Sequence, residues 1–185
     1  MLYPEKQITL KDGTPAVIRS ARVSDAAALV QYLIATAGET EFILAYPDER
    51  ASMTVESEEH FIQGVIDDPH RLFLVCEVNG ELAGNCELHY SPRRKVCHRG
   101  GIAIALYRKF WNMGIGTAMM EALIETARKE GLSSLRLEFV EGNTRARALY
   151  EKLGFRIVAM VPDSYRLSDG SKRAQYIMLL DLENA

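Results

Sequence analysis

Two glycines, Gly114 and Gly116, are separated by a single residue in the middle of the chain, where an apolar segment is followed by a helical pattern. Residues 100–106 read GGIAIAL, which is typical of a buried strand, and residues 115–130 carry apolar side chains at helical spacing. A strand, a glycine turn and a helix start form an anion site, because the first helical N–H groups have no partner within the helix and the helix dipole is positive there. The pattern indicates a phosphate-bearing ligand, with a turn whose glycines only relieve backbone strain as the alternative. The residues expected at the phosphate are Asn112, Met113, Gly114, Ile115, Gly116 and Thr117.

Two well-known phosphate motifs fit this turn poorly. A P-loop requires a Lys-Ser or Lys-Thr pair after its glycines, and none follows here. A dinucleotide fingerprint requires a third glycine or alanine, where this chain has Met119, and it belongs to the first strand-turn-helix of a βαβ unit. Spacing therefore disfavours both motifs.

A second segment, residues 135–155, repeats the order strand, short loop and helix. Leu135, Leu137 and Phe139 alternate as on a strand with one buried face, and Asn143 suits a helix N-cap. Asn143 and Tyr150 are seven residues apart, which places them on one helix face at a separation of about 10 Å. A polar anchor in line with a phenol suits a long, thin cofactor.

The two segments together resemble the Gcn5-related N-acetyltransferase (GNAT) superfamily. Its acetyl-CoA motif, [QR]-x-x-G-x-[GA], matches residues 111–116, except that Trp111 stands where the family usually has Gln or Arg. Its next motif, N-x-x-A-x-x-L-Y-x-x-x-G-F, matches at the following positions: Asn143, Ala146, Leu149, Tyr150, Gly154 and Phe155. Two motifs in the right order, with a matching order of strands and helices around them, extend the resemblance over nearly the whole chain.

The order of elements predicts an α/β fold with a mixed central sheet, antiparallel in its first half, and helices on both faces. The main elements are predicted as strands at 7–10, 16–20, 71–78, 81–90, 96–106, 134–140, 156–162 and 173–182, and helices at 24–37, 54–67, 115–130 and 143–153. The resemblance adds a splay between the central strands. Residues 1–185 are expected to form a single N-acetyltransferase domain.

The resemblance also implies an activity, which is direct transfer of an acetyl group from acetyl-CoA to a primary amine in a ternary complex. Pantetheine would pair with Ile104, Ala105 and Leu106, one of which would donate a backbone N–H to the thioester oxygen. Asn143 would contact the cofactor, and Tyr150 would contact it and protonate the departing thiolate. Four cations near the motifs are candidates for the outer phosphates, with ordinary surface positions as the alternative: Arg108, Lys109, Arg145 and Arg147.

An ammonium acceptor of pKa near 10 must lose a proton before it attacks, so the reaction needs a base. Glu138 is the candidate, because the resembling ribosomal-protein alanine acetyltransferases have a catalytic Glu five residues before the motif Asn. A solvated strand carboxylate is the alternative reading, and Glu87, His89 and His98 are other candidates. A water chain without a dedicated side chain also stays open.

The acceptor is expected to be a small-molecule amine, with a protein N-terminus left open. The segment at residues 35–59, which runs from the end of the first predicted helix into the start of the second, is acidic, which would favour a cationic amine or polyamine. Solvated helix ends explain the same residues and are preferred: Glu39, Glu41, Asp48, Glu49, Glu56, Glu58 and Glu59. A non-catalytic acyl-CoA sensor is the alternative from another class, although the presence of both Tyr150 and Glu138 favours the enzyme.

Composition and charge narrow the classes of protein to which the chain can belong. The chain has 185 residues, 48% of them hydrophobic, and a formal net charge of -3, which disfavours a nucleic-acid-binding surface. It has no apolar run long enough for a membrane span and no signal-like N-terminus. The three cysteines lack metal-ligand spacing, so no metal is expected. A cytoplasmic protein is predicted, and a homodimer is left open.

Overall fold

Eight strands form one sheet in the computed structural model, which describes residues 1–183, so that the last two residues of the predicted domain lie outside the described part. The strand order is β1-β2-β3-β4-β5-β6-β8-β7. The strands are β1 Lys6–Thr9, β2 Pro15–Ser20, β3 Arg71–Val78, β4 Glu81–Tyr90, β5 Arg99–Leu106, β6 Ser134–Val140, β7 Arg156–Arg166 and β8 Lys172–Asp181. The helices are α1 Ala26–Glu39, α2 Pro47–Arg50, α3 Val55–Asp67, α4 Ile115–Lys129 and α5 Thr144–Lys152.

The first five strands are antiparallel neighbours, as the hairpin signals predict. Between β3 and β4 the two turn residues, Asn79 and Gly80, have φ values of 51° and 81°. Positive φ at both central positions gives the tight turn whose twist matches that of the flanking strands. This turn sets the register of β4 and, through it, the position of β5.

The sheet opens between β5 and β6, which are parallel neighbours. They pair only where Arg99–Gly101 meets Ser134–Arg136, and beyond Gly101 the two strands separate. On its other side β5 stays paired with β4 as far as Leu106. The predicted mixed sheet with splayed central strands is therefore confirmed, and β6, β8 and β7 add an antiparallel second half.

Alternating residues of β3 enter two separate core clusters, one on each face of the sheet. Leu72 and Leu74 join the cluster that contains the buried side of α4, whereas Phe73 and Val75 join the cluster under α1 and α3. An apolar residue at every position of a central strand is what a sheet covered on both faces requires. The prediction of helices on both faces is confirmed.

The predicted starts of two elements are wrong. The strand expected from Val96 begins at Arg99, because residues 93–98 form a turn in which the Val96 N–H donates to the carbonyl of Arg93 at 2.9 Å. The helix expected from Ser24 begins at Ala26, after a 3-10 turn at Val23–Asp25. The short helix α2 was not predicted. None of the helices within residues 1–183 combines the length and the apolar character needed to cross a membrane.

Candidate functional site

The glycine turn leaves the start of α4 without a side-chain cap among the described residues. Gly114 occupies the N-cap position with a φ of 99°, a left-handed conformation that glycine adopts without steric cost. The first helical hydrogen bond runs from the Ala118 N–H to the Gly114 carbonyl at 3.1 Å. The preceding N–H groups, at Ile115, Gly116 and Thr117, have no partner within the helix, as an anion site requires.

Gly116 lies where three elements approach each other closely. A Cβ atom at this position would lie 3.2 Å from the Leu149 Cδ2 atom on α5 and 3.3 Å from the Leu106 Cδ1 atom at the end of β5. Both distances are tighter than ordinary van der Waals contact. The absence of a side chain at Gly116 therefore lets α4, α5 and β5 converge beside the turn.

A cavity of about 600 Å³, named here the turn cavity, lies between the glycine turn and α5. Its lining includes three cations, Lys11, Arg145 and Lys152. Lys11 comes from the β1–β2 turn, and its backbone N–H donates to the Met113 carbonyl at 3.1 Å. The cavity thus combines a helix start with positive side chains, which suits a multiply charged phosphate ligand.

Of the four cations that the sequence singles out, Arg145 is the one that lines the turn cavity. Arg108 donates to the backbone carbonyl of Glu39. Lys109 pairs with the carboxylate of Glu81, and Arg147 pairs with Glu151 at 2.8 Å. Lys11 and Lys152 also line this cavity, and no local sequence motif marks them.

The indole N–H of Trp111 forms a hydrogen bond within the protein. Its indole N–H donates to the Leu106 carbonyl at 3.0 Å, and the Arg145 guanidinium lies 4.4 Å from the ring centre. The position where the family usually has Gln or Arg therefore holds the end of β5 and stacks against a cavity-lining cation. The indole N–H is engaged and does not point to a ligand.

The open edge of β5 presents particular backbone groups to the gap. The Tyr107 N–H donates to the Ala83 carbonyl on β4, whereas the Leu106 carbonyl points away from β4 and accepts from Trp111. Because backbone directions alternate along a strand, the N–H and C=O of Ile104 point to the gap as those of Leu106 do, and those of Ala105 point to β4. Of the three predicted residues, Ile104 and Leu106 thus face the open edge.

Tyr150 lies beside this edge on α5 and is 6% exposed. Its ring contacts Phe139 and Phe155, with centroid separations of 6.2 Å in both cases. Burial raises the pKa of Tyr150 to about 12, so the hydroxyl stays protonated at neutral pH. A buried, protonated phenol that lines a cavity can donate a proton or a hydrogen bond to a ligand.

Asn143 is the N-cap of α5, as its place before the helical pattern predicts. Its side-chain oxygen accepts a hydrogen bond of 3.2 Å from the Ala146 N–H. This bond uses the oxygen and leaves the side-chain NH₂ group for a ligand. Asn143 lines the turn cavity together with Tyr150.

A second cavity of about 460 Å³, named here the sheet cavity, lies under α1 and α3. Its lining includes Asn85 and Glu87 on β4, Glu138 on β6, and Arg50 and Glu58 from the helical side. The two cavities meet in the gap between β5 and β6, where they share six residues: Phe42, Ile43, Ile104, Ala105, Asn143 and Tyr150. The two cavities therefore adjoin where the strands separate.

Glu138 lines the sheet cavity, and it is an exposed residue of β6 between the buried Leu137 and Phe139, as the alternation predicts. Its carboxylate pairs with Arg136 and accepts a hydrogen bond from the Gln175 side chain on β8. Glu87 lines the same cavity. His89 and His98, the other predicted candidates, lie outside the linings of both cavities.

Comparison with protein families identifies the chain. Residues 39–155 match the family model described as the acetyltransferase (GNAT) family. That match covers more than half of the chain and includes the glycine turn, the gap in the sheet and α5. The chain belongs to the GNAT family of acetyltransferases, which confirms the resemblance read from its two motifs.

The chain is similar in sequence to curated GNAT relatives and in structure to solved GNAT proteins. The [ribosomal protein bS18]-alanine N-acetyltransferase of Escherichia coli is 37% identical over 71 residues, which cover 38% of this chain and 48% of that protein. The chain thus spans about half the length of the curated relatives it matches. A GNAT acetyltransferase from Streptococcus pneumoniae is 29% identical, with a TM-score of 0.84 and coverage of 90% of this chain and 99% of that one. The yncA structure from Salmonella typhimurium, which contains acetyl-CoA, is 20% identical, with a TM-score of 0.78 and coverage of 90% and 94%.

Proposed function

We propose that the protein is an acetyl-CoA-dependent N-acetyltransferase that transfers the acetyl group directly to a primary amine within a ternary complex. The observation that carries this proposal is that the turn cavity and the sheet cavity adjoin where β5 and β6 separate, with Ile104 and Tyr150 in both linings. Two substrates that enter from opposite faces would meet there. Family membership, and the acetyl-CoA bound in the yncA structure, support the choice of donor.

In this proposal the pyrophosphate of CoA binds the N–H groups at the start of α4, and the cations of the turn cavity, Lys11 among them, bind the outer phosphate. Pantetheine extends along the open edge of β5 and past the NH₂ group of Asn143. The acetyl thioester then lies in the gap, near Ile104 and Tyr150. Family membership and the position of the two cavities support this orientation.

The chemistry requires a new C–N bond and the cleavage of the thioester C–S bond. The amine attacks the acetyl carbon as the Ile104 N–H stabilises the charge on the thioester oxygen. Tyr150 donates its proton to the CoA sulfur as the thiolate leaves, and its phenolate recovers the proton that the attacking nitrogen loses, directly or through water. Glu138 takes the proton of the acceptor ammonium, directly or through water, and Glu87 is the alternative base in the same cavity.

The acceptor in this proposal is a small-molecule amine. The sheet cavity, at about 460 Å³, has the size of a small-molecule site, which supports this choice. The names of two similar proteins favour the alternative of a protein N-terminus, since both the Escherichia coli relative and a Brucella melitensis structure with a TM-score of 0.77 and 21% identity are called ribosomal-protein-alanine N-acetyltransferases.

One assay tests the proposal against a non-catalytic acyl-CoA sensor. Purified full-length protein is mixed with acetyl-CoA and a panel of amines, and free CoA is detected with a thiol reagent. The enzyme releases CoA in proportion to acetylated amine. A sensor binds acetyl-CoA, with a rise in melting temperature, and releases no CoA with any amine or peptide in the panel.

A homodimer and a cytoplasmic location stay predictions within this proposal. The apolar side chains on the edge strand β7 are the surface that we expect a second copy to cover, since Val158 is 54% and Met160 52% exposed. Light scattering after size-exclusion chromatography tests this, with Met160→Lys expected to shift a dimer to a monomer.

A further inference from the structure

The sheet cavity contains polar atoms that the fold itself does not satisfy. Residues 1–183 leave five buried side-chain N or O atoms without a hydrogen-bond partner, and three of these belong to residues that line this one cavity: Arg50 Nε, Glu58 Oε1 and Asn85 Oδ1. An unpaired buried polar atom costs about 1–3 kcal/mol. Three in one cavity indicate groups that a ligand satisfies.

Glu58 is the most unusual of these groups, because it is a carboxylate only 3% exposed on the first turns of a surface helix. Its neighbours Glu56 and Glu59 are exposed, as the solvated helix end predicted from the sequence requires. Burial raises the pKa of Glu58, and the positive charge of Arg50 opposes this rise. A ligand cation would favour the charged form of the carboxylate and recover part of the cost of its burial.

The three atoms differ in what they need. The oxygens of Glu58 and Asn85 require hydrogen-bond donors, whereas Arg50 Nε is itself a donor and requires an acceptor. A monoamine or diamine supplies only donors and would leave Arg50 unsatisfied. A molecule that carries an ammonium next to an anionic oxygen group satisfies all three atoms.

The register of the sheet places one of these three residues near the end of β5 that faces the gap. Asn85 on β4 pairs with Ala105 on β5, one residue from Ile104 and the gap. An amine held by the Asn85 oxygen therefore lies beside the position proposed for the thioester. Apolar side chains, among them Leu33, Met53, Phe61 and Phe73, line the rest of the cavity and suit an apolar substituent.

We propose that the sheet cavity binds a small zwitterionic acceptor, an α-amino acid or a close analogue, with its carboxylate on Arg50 and its amine on Glu58 and Asn85. This inference rests on the proposed function, and it names the acceptor class of the same site. It disfavours the polyamine that the acidic segment suggests, because a protonated polyamine offers no acceptor to the unsatisfied donor of Arg50.

The test compares matched acceptors. L-leucine, L-methionine and L-phenylalanine are each measured against the amine that lacks the carboxylate and against the amino-acid amide, which resembles a peptide N-terminus. We expect kcat/KM for at least one amino acid to exceed that of its amine and amide by roughly 10- to 100-fold, the effect of one hydrogen bond to a charged group. Amines or amides that react as well as every amino acid would overturn the inference and leave the proposed function intact.

Substitutions in the cavity test whether its residues cause the preference for the amino acid over the amine. Arg50→Gln should bring the ratio of amino acid to amine close to one, and Glu58→Gln should raise KM for the amino acid more than it lowers kcat. Glu59→Gln, an exposed neighbour on α3, is the matched control and should keep the wild-type ratio. A wild-type ratio in Arg50→Gln would overturn the inference. Arg50→Lys, which keeps the charge, replaces Arg50→Gln if the latter fails to fold and should give an intermediate ratio.

A binding measurement separates this inference from the proposed function. Calorimetric titration of each amino acid into the protein saturated with CoA reports acceptor binding without turnover. Binding of an amino acid that depends on Arg50, with no acetylation of any acceptor, would support the inference and contradict the proposed function. Absence of amino-acid binding, with acetylation of simple amines, would contradict the inference and support the proposed function.

Discussion

The indole N–H of Trp111 donates a hydrogen bond of 3.0 Å to the carbonyl oxygen of Leu106. This bond ties the loop before the glycine turn to the last residue of β5, so that the two parts of the cofactor site are held in one geometry. Its function is positional, because the donor atom is occupied within the protein.

Trp111→Phe removes this donor and keeps an aromatic ring against Arg145. We expect the dissociation constant of CoA to rise roughly fivefold, since one neutral hydrogen bond contributes about 1 kcal/mol. Isothermal titration calorimetry measures the change. An unchanged constant would mean that the bond does not position the end of β5.

Gly116→Glu introduces bulk between Leu106 and Leu149 and a negative charge at the start of α4. We expect acetyl-CoA to lose its ability to raise the melting temperature, and the variant to be about 1–3 kcal/mol less stable because the site is tightly packed. Gly64→Glu adds the same charge on α3, where an added side chain meets open space, and should keep the wild-type response. A Gly116→Glu protein with full CoA affinity would contradict the phosphate site.

Tyr150→Phe keeps the ring contacts and removes the hydroxyl. We expect kcat to fall about 10²-fold with little change in the affinity for acetyl-CoA, because the proton is needed only in the transition state. The pKa of about 12 means that ionisation of Tyr150 should not lower kcat between pH 7 and pH 10. Tyr176→Phe, which removes a hydroxyl outside both cavity linings, is the control. Equal kcat values, with chemistry rate-limiting, would leave Tyr150 as a packing residue.

Glu138→Gln keeps the shape of the side chain and removes its basicity. We expect kcat/KM to fall most near neutral pH and the loss to shrink as the pH approaches the pKa of the acceptor, about 10 for an alkylamine, where free amine is plentiful. If Glu87→Gln shows this pH dependence of kcat/KM and Glu138→Gln behaves like the wild type, the general base is Glu87. Glu121→Gln on the exposed side of α4 should match the wild type throughout.

Asp25→Asn tests a buried charge pair outside the site. The Asp25 carboxylate accepts from the Arg19 guanidinium at 2.7 Å and from the Arg22 N–H at 2.8 Å. Burial alone would raise the pKa of Asp25, but these bonds outweigh it and hold the pKa below its usual value. The pair therefore stabilises the fold above pH 4 and loses this effect as the pH falls through the lowered pKa.

We expect Asp25→Asn to cost about 3 kcal/mol in the free energy of unfolding at pH 7, because it leaves Arg19 buried with only Glu77 as an ionic partner. The difference from the wild type should shrink below pH 4. Urea denaturation at several pH values measures this, with the exposed Asp48→Asn as control. A difference that is the same at pH 3 and pH 7 would contradict the ionic origin of the effect.

Local signals predicted several elements to the residue. The ends of β3, β4 and β6 agree with the predicted strands because hairpin glycines and polar residues limit each apolar run. Asn143 was identified as a cap for the same reason, since the cap bond joins residues three apart. The turn at residues 93–98 was missed because Val96 continues the apolar pattern of β5 although its backbone bonds locally.

Sequence alone determined the family, the glycine turn and the placement of Asn143 and Tyr150 along one helix, since each depends on residues that lie close together along the chain. Only the tertiary structure decided which cations line the turn cavity and which carboxylates line the sheet cavity. Lys11 reaches the turn from a hairpin about a hundred residues away in sequence, and Glu58 becomes buried because α3 packs over the open sheet. The sequence of a glutamate-rich helix N-terminus does not distinguish carboxylates that face water from carboxylates that face a cavity. Their burial depends on the elements that pack against the helix.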